Sequence, residues 1–394
     1  MFELRIVLSV IIVFFAIHEI SCDEVRFFLN NFFLLRIKKN VKIQVQSVTI
    51  PYKGKNYKFN VKALNRKIFY NVPIWTIEST ESEDLMYTYE GVSKINGVLH
   101  EDKTMKAILI EKNNCTSNCW EGVFGLGTLR NVISDKPEAE LLSKNPEFDI
   151  SGVYKMHALK NGVSRNAKKS RSKVARSKND AFYPKLLIVI DNALFEKLDN
   201  DVEYATKYLS IFWSAVDLQY RNITQPQIEV RITGLIIAKD DKALHYVSAN
   251  SPDGNSVNVD EVLHGSRDEK AFIDSTNITD YDAVVTMTGL SGYTEVGPNK
   301  VRVGNSGVSW NASICMDDYY FSVTTDDGSF SGIHSAIHEL GHLLGLNHDA
   351  VPGNALECFP TNRKQLTVMW PRYENREVEI WSECSVRALK IFSE

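Results

Sequence analysis

The sequence has few of the features that mark membrane or nucleic-acid-binding proteins. Beyond the N-terminus, no segment is apolar over the ~18 residues that a transmembrane helix needs, so we expect no membrane anchor. The formal net charge is only -4, and no overall positive charge indicates nucleic-acid binding. Of the 394 residues, 44% are hydrophobic and 24% are charged, which is ordinary globular composition. Such a chain is long enough for about two or three domains with a large core.

The N-terminus carries a short apolar run. Arg5 precedes the apolar stretch Ile6–Ile17, which is too short to span a bilayer comfortably. This pattern is typical of a secretory signal peptide, with cleavage near Ser21 or Cys22. We therefore expect residues 1–22 to be removed and the mature product to be secreted, soluble and extracellular.

Three segments follow, and they differ in composition. Residues 23–164 show short β-like runs and no catalytic constellation, so they predict a β-rich domain. Residues 165–178 are basic and lack any acid, which keeps a segment exposed. This stretch is either a linker cut by a basic-residue protease or a solvated, anion-binding loop, and its position between two unlike segments favours the processing linker. The third segment, residues 179–394, carries the chemistry.

The third segment alternates between buried strands and amphipathic helices. Buried-strand patterns occur at Tyr183–Asp191 and Asp282–Thr288, and β-branched alternation over Gln227–Ala238 predicts another strand. The spacing of apolar residues predicts helices over Asp199–Tyr220 and Asp260–Ser275. Strands that alternate with helices predict an α/β fold with a mostly parallel sheet.

The residues best suited to chemistry lie in HELGHLLGLNHD, residues 338–349. A helix repeats every ~3.6 residues, so His338 and His342 lie one turn apart on one face and can bind one cation. Gly345 accepts the left-handed conformation that ends a helix, so the chain can bend back and bring His348 to the same ion. Two histidines and a glutamate can also form a mere polar stripe on a helix, but the full pattern favours a Zn²⁺ site.

The expected zinc site is open to a water molecule. Three neutral nitrogen ligands leave a fourth position for water, as in catalytic zinc sites. Glu339 lies next to the ligand face, where it can act as the general base on that water. We do not expect His334 to bind, because a fourth protein ligand would displace the reactive water. The pattern predicts peptide hydrolysis; the alternative is a secreted zinc-binding protein without turnover, acting as a binding or interaction module, and the presence of Glu339 argues against it.

The motif resembles that of the metzincin zinc endopeptidases, and Asp349 after the third histidine resembles the adamalysin or reprolysin branch. The resemblance is specific from about Tyr183 onwards, and the chain is most similar to the secreted salivary metalloproteases of ticks. It implies a mostly parallel twisted sheet with an antiparallel edge strand at Val301–Gly304, long helices, an active-site helix and a methionine turn. Met369 resembles the methionine of that turn, as a packing floor beneath the zinc.

The upstream half resembles a reprolysin prodomain in outline. The resemblance therefore implies a zymogen whose residues 23–164 inhibit the enzyme, with extracellular proteins such as host matrix or fibrinogen as substrates. Cys115 and Cys119 form either a local disulfide bond or a cysteine switch that occupies the open zinc position. Secreted cysteines are usually paired, which favours the disulfide.

Removal of the signal peptide also removes Cys22 and leaves five of the six cysteines. Because five is an odd number, one thiol is left over when the others pair. The family resemblance implies a disulfide bond between Cys315 and Cys384. Cys358 has no obvious partner, because Val368 stands where the family commonly places a cysteine. The sequence also contains four candidate N-glycosylation sites, at Asn114, Asn222, Asn277 and Asn311.

The calcium site of adamalysins is not expected in this chain. Asp282 resembles one of its ligands. Lys185 and Arg387, however, stand where an acid and an amide are expected, and a lysine ammonium can take the place of the ion. The prediction is therefore zinc without calcium.

Overall fold

A computed structural model of the chain describes residues 45–64, 68–69, 71–82, 84–113, 119–125, 131–134, 155–157, 181–349, 366–371 and 379–393. The predicted signal peptide, residues 1–22, and the predicted linker, residues 165–178, lie outside this part of the chain. No helix within it has the length and apolar character needed to cross a membrane.

The helices are amphipathic or buried, and most begin at a polar cap. Asp201, for example, precedes the longest helix, and its carboxylate accepts the N–H groups of Glu203 and Tyr204 at 2.8 and 3.0 Å. The described helices are α1 (Asn192–Lys197), α2 (Val202–Tyr220), α3 (His245–Ser248), α4 (Val259–Asp268), α5 (Ala271–Asp274), α6 (Ile333–Leu343) and α7 (Glu383–Ser393).

The strands fall into an N-terminal and a C-terminal group. Those before residue 160 are β1 (Val45–Tyr52), β2 (Lys55–Ala63), β3 (Pro73–Ser79), β4 (Leu85–Val92), β5 (Val98–Asp102), β6 (Ala107–Glu111), β7 (Trp120–Phe124), β8 (Asn131–Ile133) and β9 (Lys155–His157). Those after it are β10 (Lys185–Ile190), β11 (Arg231–Ala238), β12 (Ser256–Asn258), β13 (Ala283–Thr288), β14 (Ser291–Val296), β15 (Val301–Gly304), β16 (Gly307–Trp310), β17 (Phe321–Thr325), β18 (Leu366–Thr367) and β19 (Glu379–Ile380).

A central sheet organises the fold, with its described strands in the order β4-β3-β11-β10-β13-β17-β16-β9. Strands β3, β11, β10, β13 and β17 are parallel, and β16 runs antiparallel to β17. The middle strands β10 and β13 are buried almost throughout, as expected where helices cover both faces of a parallel sheet. This combination of mixed sheets and helices agrees with the predicted α/β class.

Two buried clusters pack on the two faces of the central sheet. Ile188 of β10 points to the cluster that contains Leu209 of α2 and Leu340 of α6. Its neighbour Val189 points to the cluster that contains Val262 of α4. Successive strand residues face opposite sides, so the apolar run of β10 fills both clusters and holds α6 against one face.

The antiparallel edge strand implied by the family resemblance was misplaced at Val301–Gly304. That segment is β15, and it pairs with β14 in a separate three-stranded sheet. The strand that pairs antiparallel with β17 in the central sheet is β16, six residues further along. All four residues of β16 are buried, whereas those of β15 are mostly exposed, so packing against the sheet and α6 selects β16.

Strands from the predicted prodomain join the central sheet at both of its ends. Strand β3 pairs in parallel with β11, and β9 pairs in parallel with β16. Strand β4 pairs with β3, and the remaining six N-terminal strands, β1, β2, β5, β6, β7 and β8, form a separate sheet. Ile108, Ile110 and Val123 from that sheet lie in the same buried cluster as α2. The described residues from Gln46 onwards belong to one compact unit. The described parts of the predicted prodomain and the predicted catalytic domain therefore share one core.

Candidate metal centre

Helix α6, which carries the first two motif histidines, is buried along its whole length. Its N-cap is Gly332, which has no side chain to cap the helix. Asp326 takes this role from the end of β17, because its carboxylate accepts the N–H groups of Gly332 and Gly328 at 2.9 and 2.8 Å. Burial raises the pKa of Asp326 to about 7. The two hydrogen bonds to Asp326 attach the start of α6 to the end of β17.

The end of α6 has the conformation that the sequence predicts. Gly345 has a φ of 87°, in the left-handed region that favours glycine. The Gly345 N–H donates to the His342 carbonyl at 2.8 Å, and the Leu346 N–H donates to the Gly341 carbonyl at 2.9 Å. This pair of bonds is the Schellman arrangement. It reverses the chain immediately after the helix and brings His348 back beside it.

The three predicted histidines converge. The Nε2 atom of His348 lies 3.0 Å from Nε2 of His342 and 3.1 Å from Nε2 of His338. The Nδ1 atoms of the two helical histidines face main-chain carbonyls, those of Val368 and Leu346, each at 2.7 Å. A carbonyl only accepts, so each Nδ1 carries the proton and each Nε2 presents a lone pair to the centre.

These residues fit a nitrogen-ligated metal ion. Burial lowers the pKa of His342 to about 3 and that of His348 to about 4, and it lowers the pKa of His338 further from its usual value. The three rings are therefore neutral at physiological pH, and their lone pairs repel one another at these distances. A cation at the centre converts this repulsion into coordination, and three imidazoles are a ligand set that suits zinc. His334 stays outside the cluster, with its ring 6.2 Å from that of His338.

Glu339 lies buried on the same helix, between the first two histidines in sequence. Its Oε2 atom accepts a hydrogen bond from the Ser309 hydroxyl at 2.6 Å. Its Oε1 atom has no hydrogen-bond partner among the described residues. Burial raises the pKa of Glu339, the charge of Asp260 raises it further, and the Ser309 bond acts in the opposite direction. No local pattern points to Ser309, because it lies 30 positions upstream of Glu339, on β16.

Met369 lies in the turn that follows β18 and packs against α6. It is fully buried, and a Cβ on Gly341 of α6 would lie 2.8 Å from its sulfur, so the two are in close contact. The Asp349 N–H donates to the Met369 carbonyl at 2.8 Å. Together with the bond from His338 to Val368, this contact ties the turn to both ends of the motif.

The predicted bond between Cys315 and Cys384 is not formed. Cys384 is disulfide-bonded, but its partner is not Cys315. In the loop after β16, Ile314 is buried in the core, whereas the next residue, Cys315, is exposed. Cys119 is disulfide-bonded, as the disulfide interpretation of the upstream pair predicts. Cys115 and Cys358 lie outside the described residues.

The remaining predicted sites differ in exposure. Asn222 and Asn277 are exposed, whereas Asn114 lies outside the described residues. Asn311 is half-buried, and its amide nitrogen donates to the Asn347 side chain at 2.8 Å. The ammonium group of Lys185, which the resemblance places where the family has an acidic calcium ligand, lies 2.5 Å from the carboxylate of Asp280.

We expect Gly345→Ala to weaken the centre. A residue with a Cβ pays about 1–2 kcal/mol for the left-handed conformation, and the new Cβ would lie 3.1 Å from Phe392. The His348 loop would shift, so both the melting temperature and the retention of zinc against a chelator should fall. Gly297→Ala is the matched control, because Gly297 has a φ of 72° with nothing within 4 Å of its Cβ position. Equal zinc retention in the two variants would contradict the role of Gly345.

The chain is similar to known metallopeptidases. The model of a family described as Reprolysin_5, Metallo-peptidase family M12, matches residues 184–381. Venom metalloproteinase 2 of Eulophus pennicornis is 30% identical over 321 residues, which cover 78% of this chain and 74% of that protein. Venom metalloproteinase 3 of the same organism is 29% identical over 326 residues, covering 81% and 75%. The finer likeness to tick salivary enzymes stays a prediction. The chain belongs to the reprolysin family of M12 metallopeptidases, and it is a metzincin endopeptidase.

Proposed function

We propose that the protein is a secreted zinc endopeptidase, made as a zymogen, that hydrolyses peptide bonds of extracellular proteins. The observation that carries this proposal is the convergence of three Nε2 lone pairs, with the neighbouring Nδ1 atoms bonded to carbonyls. His338, His342 and His348 would hold the zinc. A zinc ion there would lower the pKa of a water molecule towards ~7 and polarise a peptide carbonyl.

Glu339 would move the proton in this reaction. Its Oε2 atom is engaged with Ser309, and its Oε1 atom has no partner, so one oxygen is available to accept a proton from water. The same carboxyl group can then donate that proton to the nitrogen of the departing amine, as general acid–base catalysis requires. Met369 supports the site by packing and takes no part in proton transfer.

The edge of β16 offers a place for the peptide substrate. An extended peptide can add to a strand edge through main-chain hydrogen bonds. In this chain that edge is occupied by β9, with Lys155, Met156 and His157 opposite Val308, Ser309 and Trp310. Because β9 belongs to the predicted prodomain, this pairing supports a prodomain that inhibits the enzyme by covering the substrate edge.

The compartment and the substrates are proposed from the N-terminus and from the resemblance to known enzymes. The N-terminal apolar run supports secretion, and the two relatives are named venom metalloproteinases. Matrix proteins and fibrinogen are the substrates we would test first. This choice follows from the resemblance to tick enzymes, because function cannot be read from a fold alone.

The test uses the full chain, secreted from cultured cells. Elemental analysis should find about one zinc per chain, and 1,10-phenanthroline should remove it. After protease cleavage within residues 165–178, the sample should degrade gelatin or fibrinogen, lose this activity with the chelator and regain it with zinc. Protein that holds zinc but degrades nothing after cleavage would favour the zinc-binding alternative, and protein without zinc would overturn the proposal.

A further inference from the structure

The contact between Ser309 and Glu339 joins the substrate edge to the proposed general base. Ser309 is fully buried on β16, and Glu339 is 1% exposed on α6. The serine hydroxyl lies 2.6 Å from the carboxylate Oε2 and 3.0 Å from the Glu339 main-chain oxygen. It has one proton to give. The shorter, charge-assisted contact is the stronger one, so the proton points to the carboxylate.

Gly307 limits the other positions that the Glu339 side chain could take. A Cβ on Gly307 would lie 2.8 Å from Glu339 Cγ and 2.3 Å from the Ser335 hydroxyl. The strand therefore passes very close to α6 at this point, and the Glu339 side chain lies against its backbone. The Glu339 side chain is therefore bounded on one side by the backbone of Gly307. Among the described residues, Ser309 is the one hydrogen-bond donor to its carboxylate.

We infer that Ser309 is a positioning residue, which orients the Glu339 carboxylate so that Oε1 stays available to the reacting water. A glutamate side chain has three rotatable bonds, and a hydrogen bond to one oxygen restricts the last of them. Ser309 is also the residue of β16 that lies opposite Met156 of β9. A substrate peptide that takes the place of β9 on this edge therefore lies opposite Ser309, the residue that orients Glu339.

The test is Ser309→Ala in the full chain, cleaved within residues 165–178. This inference rests on the proposed function, so the wild type must first bind zinc and hydrolyse peptide. The variant should then keep its zinc, melting temperature and KM, while kcat falls about tenfold to a hundredfold. Ser322→Ala is the matched control, because Ser322 is buried directly opposite Ser309 on β17, and the hydrogen bond to Glu339 among the described residues comes from Ser309. It should keep the wild-type kcat.

Two further measurements separate positioning from a structural role. In a Glu339→Asp background the carboxylate no longer reaches the hydroxyl, so adding Ser309→Ala should cost no further kcat. Equal losses in both backgrounds would overturn the inference. Crystal structures of metal-free wild type and Ser309→Ala need no activity: an unmoved Glu339 carboxylate in the variant would overturn the inference even if the proposed function failed.

Discussion

Replacing Glu339 by glutamine is expected to lower kcat roughly 10²–10⁴-fold, the usual contribution of a general base. Glutamine has nearly the same volume, and its amide oxygen can still accept from Ser309, so packing around α6 should hold. It cannot accept a proton from water. Because Glu339 is not among the three converging ligands, zinc content should stay at the wild-type level. Stopped assays on a fluorogenic peptide, together with elemental analysis, would measure both quantities.

Separate measurements of kcat and KM show how Glu339 acts. A fall in kcat with KM unchanged indicates an interaction made only in the transition state. Glu196→Gln serves as the control, because Glu196 is exposed on α1 and lies outside the cluster. Full activity in Glu339→Gln would rule out the proposed mechanism, and loss of zinc together with activity would assign Glu339 a structural role.

The convergence of the three histidines was predictable because its geometry is local. His338, His342 and Glu339 are set by one helical turn, and Gly345 has the backbone freedom that the helix end requires. The bond from Leu346 N–H to Gly341 shows that a few residues determine the return of the chain towards His348. The buried strands β10 and β13 were predictable for the same reason, because a run of apolar residues needs no distant partner to be recognised.

Pairings between distant segments were not predictable. The runs Val301–Gly304 and Gly307–Trp310 have similar local patterns, and only contact with β17 distinguishes the strand of the central sheet. The partner of Cys384 was likewise a question of tertiary structure. The addition of β3 to the sheet beside β11 has no sequence signal, because the residue pattern of a strand is the same whichever sheet it joins.

A second large effect is expected at Arg221, which holds the N-terminal sheet against α2. Its guanidinium is buried, with Nε 2.5 Å from Asp217 and Nη2 2.5 Å from Glu101 of β5. Lys62 also contacts Glu101, at 2.9 Å. Arg221→Met would leave two buried carboxylates without this cation. Removing one partner of a buried pair costs about 3–5 kcal/mol, so the free energy of unfolding of the full chain should fall by that order in urea titrations.

Two variants and a pH series make the Arg221 prediction specific. Glu101→Gln combined with Arg221→Met should cost less than the sum of the single changes, because the double variant leaves only Asp217 without this partner.

Burial raises the pKa of Glu101, but Arg221 and Lys62 outweigh it and hold the pKa below the usual 4.5. A lowered carboxyl pKa stabilises the fold above pH 4.5, and this contribution is lost as the pH falls further. Arg221→Met should therefore lose less stability than the wild type between pH ~5 and ~3, and parallel pH curves would show that the guanidinium does not set the pKa of Glu101.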